Sequence, residues 1–238
     1  MNAVVRISAV VAVVVLTIGA CMFAASDFKH RSLPRGFESP VLAMEMARSM
    51  EEIKAIVGGP GHSDRSQMRS QQHMDFLFIV AYWSEFLLIG VLLWHRNFSL
   101  ARLLALIAWS CATLAAGLDV RENVGILGVL SAPPTPEHDP LVQAVRFAAT
   151  SKWLLLFVAM ILLSFVFIRR RDKRGGNGIT DRIIFFLPGL FCLATGVVGL
   201  AGLWWNVLLN CVALLMLFGL FTLVVALFWS PPRLLRGL

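Results

Sequence analysis

Six long apolar runs constrain this chain more than any other feature of its sequence. A helix needs about 20 residues, at about 1.5 Å of rise each, to cross about 30 Å of hydrocarbon. A helix also satisfies its own backbone groups, which lipid cannot do. The runs cover about 4–25, 76–94, 100–120, 153–168, 183–202 and 206–229. We therefore predict an all-α, polytopic helical membrane bundle with about six transmembrane helices.

The composition supports a membrane protein and argues against a nucleic-acid-binding protein. Hydrophobic residues make up 58% of the 238 positions and charged residues only 15%, whereas soluble domains carry about 25% charged residues. The net charge is +7, and five basic residues lie within 169–174, directly after an apolar run. No aromatic-basic binding motif accompanies them. The lipid bilayer is the expected partner, other membrane proteins stay open as partners, and nucleic acid is not expected.

The charges of the short loops predict an orientation. With six spans, the basic residues near 95–102, 169–174 and 233–236 all fall on one side of the membrane. The opposite connections carry more acidic than basic residues. Because cytoplasmic loops are enriched in lysine and arginine, both termini are predicted to be cytoplasmic.

The chain divides into four predicted parts. Residues 1–25 form a first span, 26–75 an outer-side loop with an amphipathic helical segment, 76–230 a five-helix transmembrane bundle, and 231–238 a cytoplasmic tail. The first run also resembles a bacterial lipoprotein signal that would be cleaved before a lipidated Cys21. A retained span is preferred, because the apolar character continues past Cys21.

Within the 26–75 loop, capping signals predict where the amphipathic segment starts and stops. Ser39 followed by Pro40 is typical of a helix start, and the glycine-rich stretch from Gly58 is typical of a stop. Ser49 and Glu52 match a capping box, which predicts that the helix restarts there. We expect the apolar side of this segment to lie on the bundle or on the outer membrane surface.

Two of the later spans carry local signals of helix geometry. Asp139 followed by Pro140 is an N-cap and first-turn pair, which predicts that the fourth helix begins well before its apolar run. Small residues at helical spacing in the fifth run predict close approach by a neighbouring helix. They are Gly189, Cys192, Gly196 and Gly199.

Glu85 is the most conspicuous polar residue within a predicted span. It lies near the middle of the second apolar run, where an ionisable group is costly and needs a partner. One interpretation is a carboxylate for proton relay or ion coupling. The favoured alternative is a hydrogen-bonded glutamate that holds two helices together, because no second carboxylate is visible at mid-span.

A second group of polar residues is expected near the outer face. Asp119, Glu122 and Asn123 lie at i, i+3 and i+4, so they share one helix face at the end of the third span. Lys152 enters the fourth span and forms an ion pair with Asp119 or Glu122 in the simplest interpretation. A polar pocket open to the outside is the alternative. The candidate binding cluster is Asp75, Tyr82, Glu85, Asp119, Glu122, Asn123 and Lys152.

Metal binding is considered and not favoured. His62 and His73 begin His-x-Asp pairs, and several methionines are nearby in sequence. Thioether and imidazole ligands suit Cu(I). However, methionine fills core gaps and interfaces readily, so packing is the preferred explanation. No metal site is predicted beyond these two weak candidates, and the cofactor stays unknown.

Several stretches resemble a group of small, uncharacterised bacterial multi-pass membrane proteins. They are 41–48 with 56–58, 75–79 with Tyr82, 119–123 and 152–153. The resemblance covers roughly residues 40–168. It implies a bacterial cytoplasmic (inner) membrane setting and no particular activity. It also implies that one site contains the residues Asp75, Tyr82, Asp119, Glu122, Asn123 and Lys152.

Three functions follow from these observations. The preferred one is a non-enzymatic helper, interaction or binding subunit with a polar cluster near the outer face. The first alternative is a small transporter or channel that uses Glu85. The second is an intramembrane enzyme that uses outer-leaflet carboxylates. No nucleophile elbow, Walker loop or His-Glu-x-x-His motif is present. The sequence therefore favours a protein without catalytic activity and names no catalytic residue.

Overall fold

The computed structural model describes residues 2–24, 28, 33–34, 36–94, 99–168 and 179–229. Within these ranges the chain is helical and contains no strand, which confirms the predicted all-α fold. A short 3-10 turn, Pro136–His138, precedes α6. The helices are α1 (Asn2–Ala24), α2 (Pro40–Glu45), α3 (Met50–Val57), α4 (Ser63–Trp94), α5 (Ser99–Ser131), α6 (Asp139–Ile168), α7 (Ile179–Gly202) and α8 (Asn206–Trp229).

Each of the six predicted apolar runs falls within one long helix, apart from Ala25 of the first run, which lies outside the described residues. Five of these helices, α1, α4, α5, α6 and α8, are long and apolar enough to cross a membrane. In α7 the described apolar stretch is shorter, Phe186–Gly202. The protein is therefore a multi-pass integral membrane protein. The 169–174 basic run and the 231–238 tail lie outside the described residues.

The six long helices form a closed ring. In sequence order, α4 packs on α5, α5 on α6, α6 on α7 and α7 on α8. The ring is completed by α1, which packs on both α4 and α8. The first and the last long helix are thus neighbours, and the space inside the ring is bounded on all sides by helices.

The two short helices cover one end of this ring, which we call the capped end. Here α2 contacts α5 and α6, while α3 contacts α4 and the 3-10 turn before α6. Helices α1 and α5 finish at this end, where Gln71 donates to Met22 O (3.5 Å) and Arg69 to Leu130 O (2.9 Å). Asn210, near the start of α8, also reaches it by donating to Gly36 O at 3.1 Å.

The amphipathic segment packs on the bundle, which was one of its two predicted positions. The apolar side of α3 is buried against α5 and α6, in a cluster formed by Met50, Ile53, Ile56, Val57, Ile126, Val129, Leu130, Val142 and Val145. Burying this face is the main stabilisation of so short a helix, because isolated helices of this length are marginal in water.

The capping signals in this segment are confirmed. Ser39 accepts from Leu42 N at the start of α2, and Ser49 accepts from Glu52 N at the start of α3. The Glu52 carboxylate accepts in turn from the backbone of Arg48 at 2.7 Å. Gly58 ends α3 with a φ of 75°, a conformation that favours glycine.

Two predicted helix ends were wrong. Helix α4 begins at Ser63 rather than near Phe76, and α5 continues to Ser131 rather than ending near Val120. Hydropathy marks the part of a helix that suits lipid, whereas the helix itself continues for as long as its backbone bonds and packing are maintained. Polar turns extend α4 at the capped end, whereas α5 continues there with apolar residues such as Ile126 and Leu130.

Helix α6 begins at Asp139, as predicted, but the aspartate side chain has a different role. Its Oδ1 accepts from the backbone N–H of Met50 at 2.7 Å. Met50 is the first residue of α3. The carboxylate therefore stabilises the start of a helix distant in sequence, where unpaired N–H groups favour a negative charge.

The small residues of α7 allow the close helix approach that was predicted. A Cβ atom added at Gly196 would lie 2.9 Å from Phe157 O, and one added at Gly199 would overlap the Phe157 ring. Gly189 packs in the same way against Ile168. Three of the four small residues thus contact α6, whereas Cys192 lines the interior of the ring.

Candidate functional site

The ammonium group of Lys152 on α6 is the centre of a buried ionic cluster. Its Nζ lies 2.7 Å from Glu122 Oε2 and 2.9 Å from Asp119 Oδ1, both on α5. A third carboxylate, Glu45 Oε1 of α2, is 3.5 Å away. Lys152 is 4% exposed and Glu122 1%. The predicted ion pair of Lys152 is therefore present. It involves both Asp119 and Glu122, and a third carboxylate from α2 joins them.

Hydrogen bonds extend this cluster to α4 and add a second contact between α6 and α2. Tyr82 donates to Asp119 Oδ2 at 3.0 Å, and Asn123 donates to Asp75 Oδ2 at 2.7 Å. The indole N–H of Trp153 donates to Glu45 Oε2 at 2.7 Å. We call the whole set the ionic cluster: Glu45, Asp75, Tyr82, Asp119, Glu122, Asn123, Lys152 and Trp153.

Helix spacing explains why α5 contributes three members. Asp119, Glu122 and Asn123 lie at i, i+3 and i+4 and face the same neighbours, α4 and α6. Their predicted position at the end of a helix was wrong, because α5 continues to Ser131. They lie inside a long helix instead, and all three are buried.

The balance of charge in the cluster is uneven. Four carboxyl groups, from Glu45, Asp75, Asp119 and Glu122, share one ammonium group. Buried charges are costly unless they are paired and hydrogen-bonded. Lys152 therefore holds together carboxylates from three directions, and its loss would leave them facing one another without compensation.

Glu85 is separate from the ionic cluster, so six of the seven predicted site residues come together and one does not. It is 4% exposed and lies on α4, about one turn beyond Tyr82. Its Oε1 accepts from the hydroxyl of Ser8 on α1 at 2.7 Å. Its Oε2 has no hydrogen-bond partner in the part of the chain that the structure describes.

A cavity of about 610 Å³ occupies the interior of the ring. Its wall comes from α1, α4, α6, α7 and α8, and α2 covers it at the capped end. Most of the wall is apolar, with side chains such as Phe86, Met160, Leu163 and Leu220. The main polar positions are Glu38, Glu45, Tyr82, Glu85, Thr195 and Asn210. Glu45, Tyr82 and Trp153 belong to both the cavity wall and the ionic cluster.

The two histidines considered as metal ligands make local contacts. His62 Nδ1 accepts from Asp64 N at 3.3 Å, and His73 Nδ1 lies 2.7 Å from Arg69 O. Across the described ranges, no three His, Cys, Asp or Glu residues are grouped so that they could hold a metal ion.

Sequence reasoning missed three residues that the structure places at these sites, Glu45, Trp153 and Ser8. The sequence contains a pattern that indicates Glu45, since it is a charged residue between Met44 and Ala47 on the buried side of an amphipathic helix. Ser8 offered a similar one as a polar residue in an apolar run. The role of Trp153 depends on the position of α2 above the bundle, which the sequence does not contain.

Comparisons with protein-family models, with curated proteins and with solved structures each find no match for this chain. Its function must therefore be inferred from the geometry of the cavity and of the ionic cluster.

Proposed function

We propose that this protein is a non-enzymatic, membrane-embedded binding protein that holds an amphipathic, lipid-like molecule in its central cavity. The observation that carries the proposal is the cavity itself. Its volume of about 610 Å³ lies within the range of about 300–1,000 Å³ typical of small-molecule sites. Such sites are mostly apolar with a few placed polar groups, and this wall has the same character.

The distribution of polar residues along the cavity gives the bound molecule a direction. Glu38, Glu45 and Asn210 lie at the capped end, close to the short helix α2. Phe167 and Leu223 lie toward the other end of their helices and offer only apolar surface. A molecule with one polar end and an apolar body fits this arrangement with its apolar body at the end that Phe167 and Leu223 line.

The ionic cluster supports this function by holding the helices around the cavity in place. Through Glu45 it ties α2 to Lys152 and Trp153 of α6. This contact holds α2 over the cavity, and the cluster fixes the positions of α4, α5 and α6 around it. In this proposal the buried carboxylates shape the site, and Glu45, Tyr82 and Trp153 are the cluster members that reach the ligand.

The proposal includes an orientation in a bacterial cytoplasmic membrane. The capped end faces outward and both termini are cytoplasmic. The support is the charge of the connections, since the loops opposite the capped end carry most of the loop arginines and lysines. Cysteine labelling with a membrane-impermeant reagent tests this, with single cysteines introduced at Lys54 in α3 and at Arg174.

A cavity-filling variant tests the binding function. Met160 lines the cavity, whereas Leu154 on the same helix is exposed on the outside of the bundle. We expect Met160→Trp to weaken binding of the apolar fluorescent probe N-phenyl-1-naphthylamine about ten-fold by occupying its space. Leu154→Trp is the matched control and should bind as the wild type does. Equal binding by all three proteins would contradict the proposal.

A small transporter is the second candidate, favoured by one observation. Glu85 lines the cavity and has a carboxylate oxygen without a partner among the described residues. A coupling carboxylate needs this kind of access. Proton uptake by reconstituted vesicles under an imposed gradient tests it, because Glu85→Gln should abolish any uptake that the wild type shows. The carboxylates considered for an enzyme are engaged by Lys152, Tyr82 and Asn123, so an intramembrane enzyme is not proposed.

A further inference from the structure

The charges on the cavity wall restrict the polar group of a ligand. Three glutamates, Glu38, Glu45 and Glu85, contribute to the wall. Among the described residues that line the cavity, none is lysine or arginine. In a low-dielectric cavity, carboxylates on the wall strongly disfavour a negatively charged ligand group and favour a positively charged one. The wall therefore suits a cationic group and opposes a phosphate or carboxylate.

Two buried oxygens on the wall have unmet hydrogen-bonding capacity. Glu85 Oε2 and Thr195 Oγ1 have no partner in the described part of the chain, although Glu85 is 4% and Thr195 1% exposed. Buried polar atoms of native proteins are bonded in about nine cases out of ten. Trp109 Nε1, away from the cavity, also lacks a partner among the described residues, but Glu85 Oε2 and Thr195 Oγ1 belong to a wall where a bound molecule would supply one.

Other hydroxyl groups in the long helices show that Thr195 is unusual. Ser84 donates to Val80 O at 2.7 Å, and Thr113 donates to Trp109 O at 2.9 Å. Such bonds to the preceding turn are the normal way for a helix to satisfy a hydroxyl group in an apolar setting. No such bond is present for Thr195, so its hydroxyl stays available.

Aromatic rings flank Glu85 on the same helix. Phe78, Tyr82 and Phe86 all line the cavity, and Tyr82 and Phe86 are within one turn of the carboxylate. The faces of aromatic rings attract ammonium groups, more strongly when water is excluded. A carboxylate with adjacent rings is a combination that recognises an amine.

We propose that the ligand of the cavity is an amphipathic amine whose ammonium group is bound by Glu85, with the apolar body along the rest of the wall. This inference rests on the proposed binding function and names the chemical class of its ligand. Ser8 keeps one carboxylate oxygen in place, and the other receives the ligand. Thr195 Oγ1 is a second acceptor on the wall of the same cavity.

Three twelve-carbon probes that differ only in their polar group test this inference: dodecylamine, dodecanol and dodecanoate. Each is titrated against bound N-phenyl-1-naphthylamine, with the full chain in neutral phosphatidylcholine nanodiscs. We expect dodecylamine to displace the fluorophore at the lowest concentration and dodecanoate at the highest. Glu85→Gln keeps the size of the side chain and an acceptor for Ser8. It should raise the dodecylamine concentration needed about ten-fold, as expected for loss of a charged hydrogen bond.

Controls separate this inference from the binding function on which it rests. Dodecanol displacement should be unchanged in Glu85→Gln, which also shows that the variant is folded. Glu51→Gln, a change at an exposed position of α3 that does not line the cavity, should leave the dodecylamine preference intact. Equal displacement by all three probes, or an unchanged amine preference in Glu85→Gln, would overturn the inference and leave the cavity as a binding site. No displacement by any probe would overturn the binding function as well.

Discussion

The hydroxyl of Ser8 donates a 2.7 Å hydrogen bond to Glu85 Oε1, which joins α1 to α4 across 77 positions of sequence. Both side chains are buried, and the apolar residues around them pack in the same core cluster. The bond fixes one carboxylate oxygen and thereby sets the position of the other. It also gives the first helix a specific polar contact in a ring that is otherwise held mostly by apolar packing.

Removing this hydroxyl should destabilise the contact between α1 and α4. We expect Ser8→Ala to lower the free energy of unfolding by about 1–3 kcal/mol, since it leaves a buried carboxylate without its partner. Thr17→Ala is the control, because the exposed Thr17 hydroxyl only bonds to Val13 O of its own helix. Thermal unfolding in detergent measures both. A Ser8→Ala protein as stable as the control would show that the bond contributes nothing.

Lys152 should be the most sensitive residue of the ionic cluster. Lys152→Met removes the ammonium group and leaves three carboxylates near one another, so we expect a loss of about 3–5 kcal/mol in unfolding free energy. Lys54→Met changes an exposed lysine on α3 and should have little effect. Adding Glu122→Gln to Lys152→Met should recover part of the loss, because it removes one unpaired charge. Similar melting of the Lys152 and Lys54 variants would refute the structural role of the cluster.

The contact between α6 and α7 should not tolerate a methyl group at Gly199. A Cβ atom there would overlap the Phe157 ring, and overpacking of this kind costs about 1–3 kcal/mol. Gly117→Ala is the matched control in α5, where no atom lies within 4 Å of the added Cβ. Because alanine favours helix, the control should gain about 0.5–1 kcal/mol. If both variants shift the melting temperature in the same direction, the close approach of α7 is not needed.

The indole N–H of Trp153 should be necessary for holding α2 in place. Trp153→Phe keeps an aromatic ring but removes the donor to Glu45 Oε2, so we expect a loss of about 1–3 kcal/mol. In Trp109→Phe the lost N–H has no partner among the described residues, and stability should be unchanged or slightly higher. Limited proteolysis within 36–62 measures how firmly α2 and α3 are held on the bundle. Cleavage at the same rate in the two variants is the contrary result.

Much of the helical architecture could be predicted from local signals. Apolar runs located the long helices, and the residues Ser39, Ser49 and Gly58 located ends of the short ones. These signals act over a few residues, so they are present in the sequence itself. The start of α4 was misplaced because polar turns extend it beyond its apolar part, and the end of α5 because its apolar residues resume after Arg121, Glu122 and Asn123.

The site was predictable only where its members share a helix or have complementary charges. Asp119 and Glu122 share α5 and carry the charge opposite to that of Lys152, and both ion pairs are present. The contacts of Glu45 and Ser8 were missed, since each depends on where a distant helix is placed. The cavity was beyond prediction for the same reason, because it arises from the closure of the ring and from no single segment.

Ring closure also has a consequence for how the protein is made. Chains emerge from the ribosome with the N-terminal part first, so α1 must wait in the membrane for α8. Until then, α1, α4, α5, α6 and α7 form an open arc. Residues of α8 such as Leu209, Met216 and Leu223 supply the missing wall of the cavity. The cavity is therefore completed late in biosynthesis, when α8 inserts beside α1.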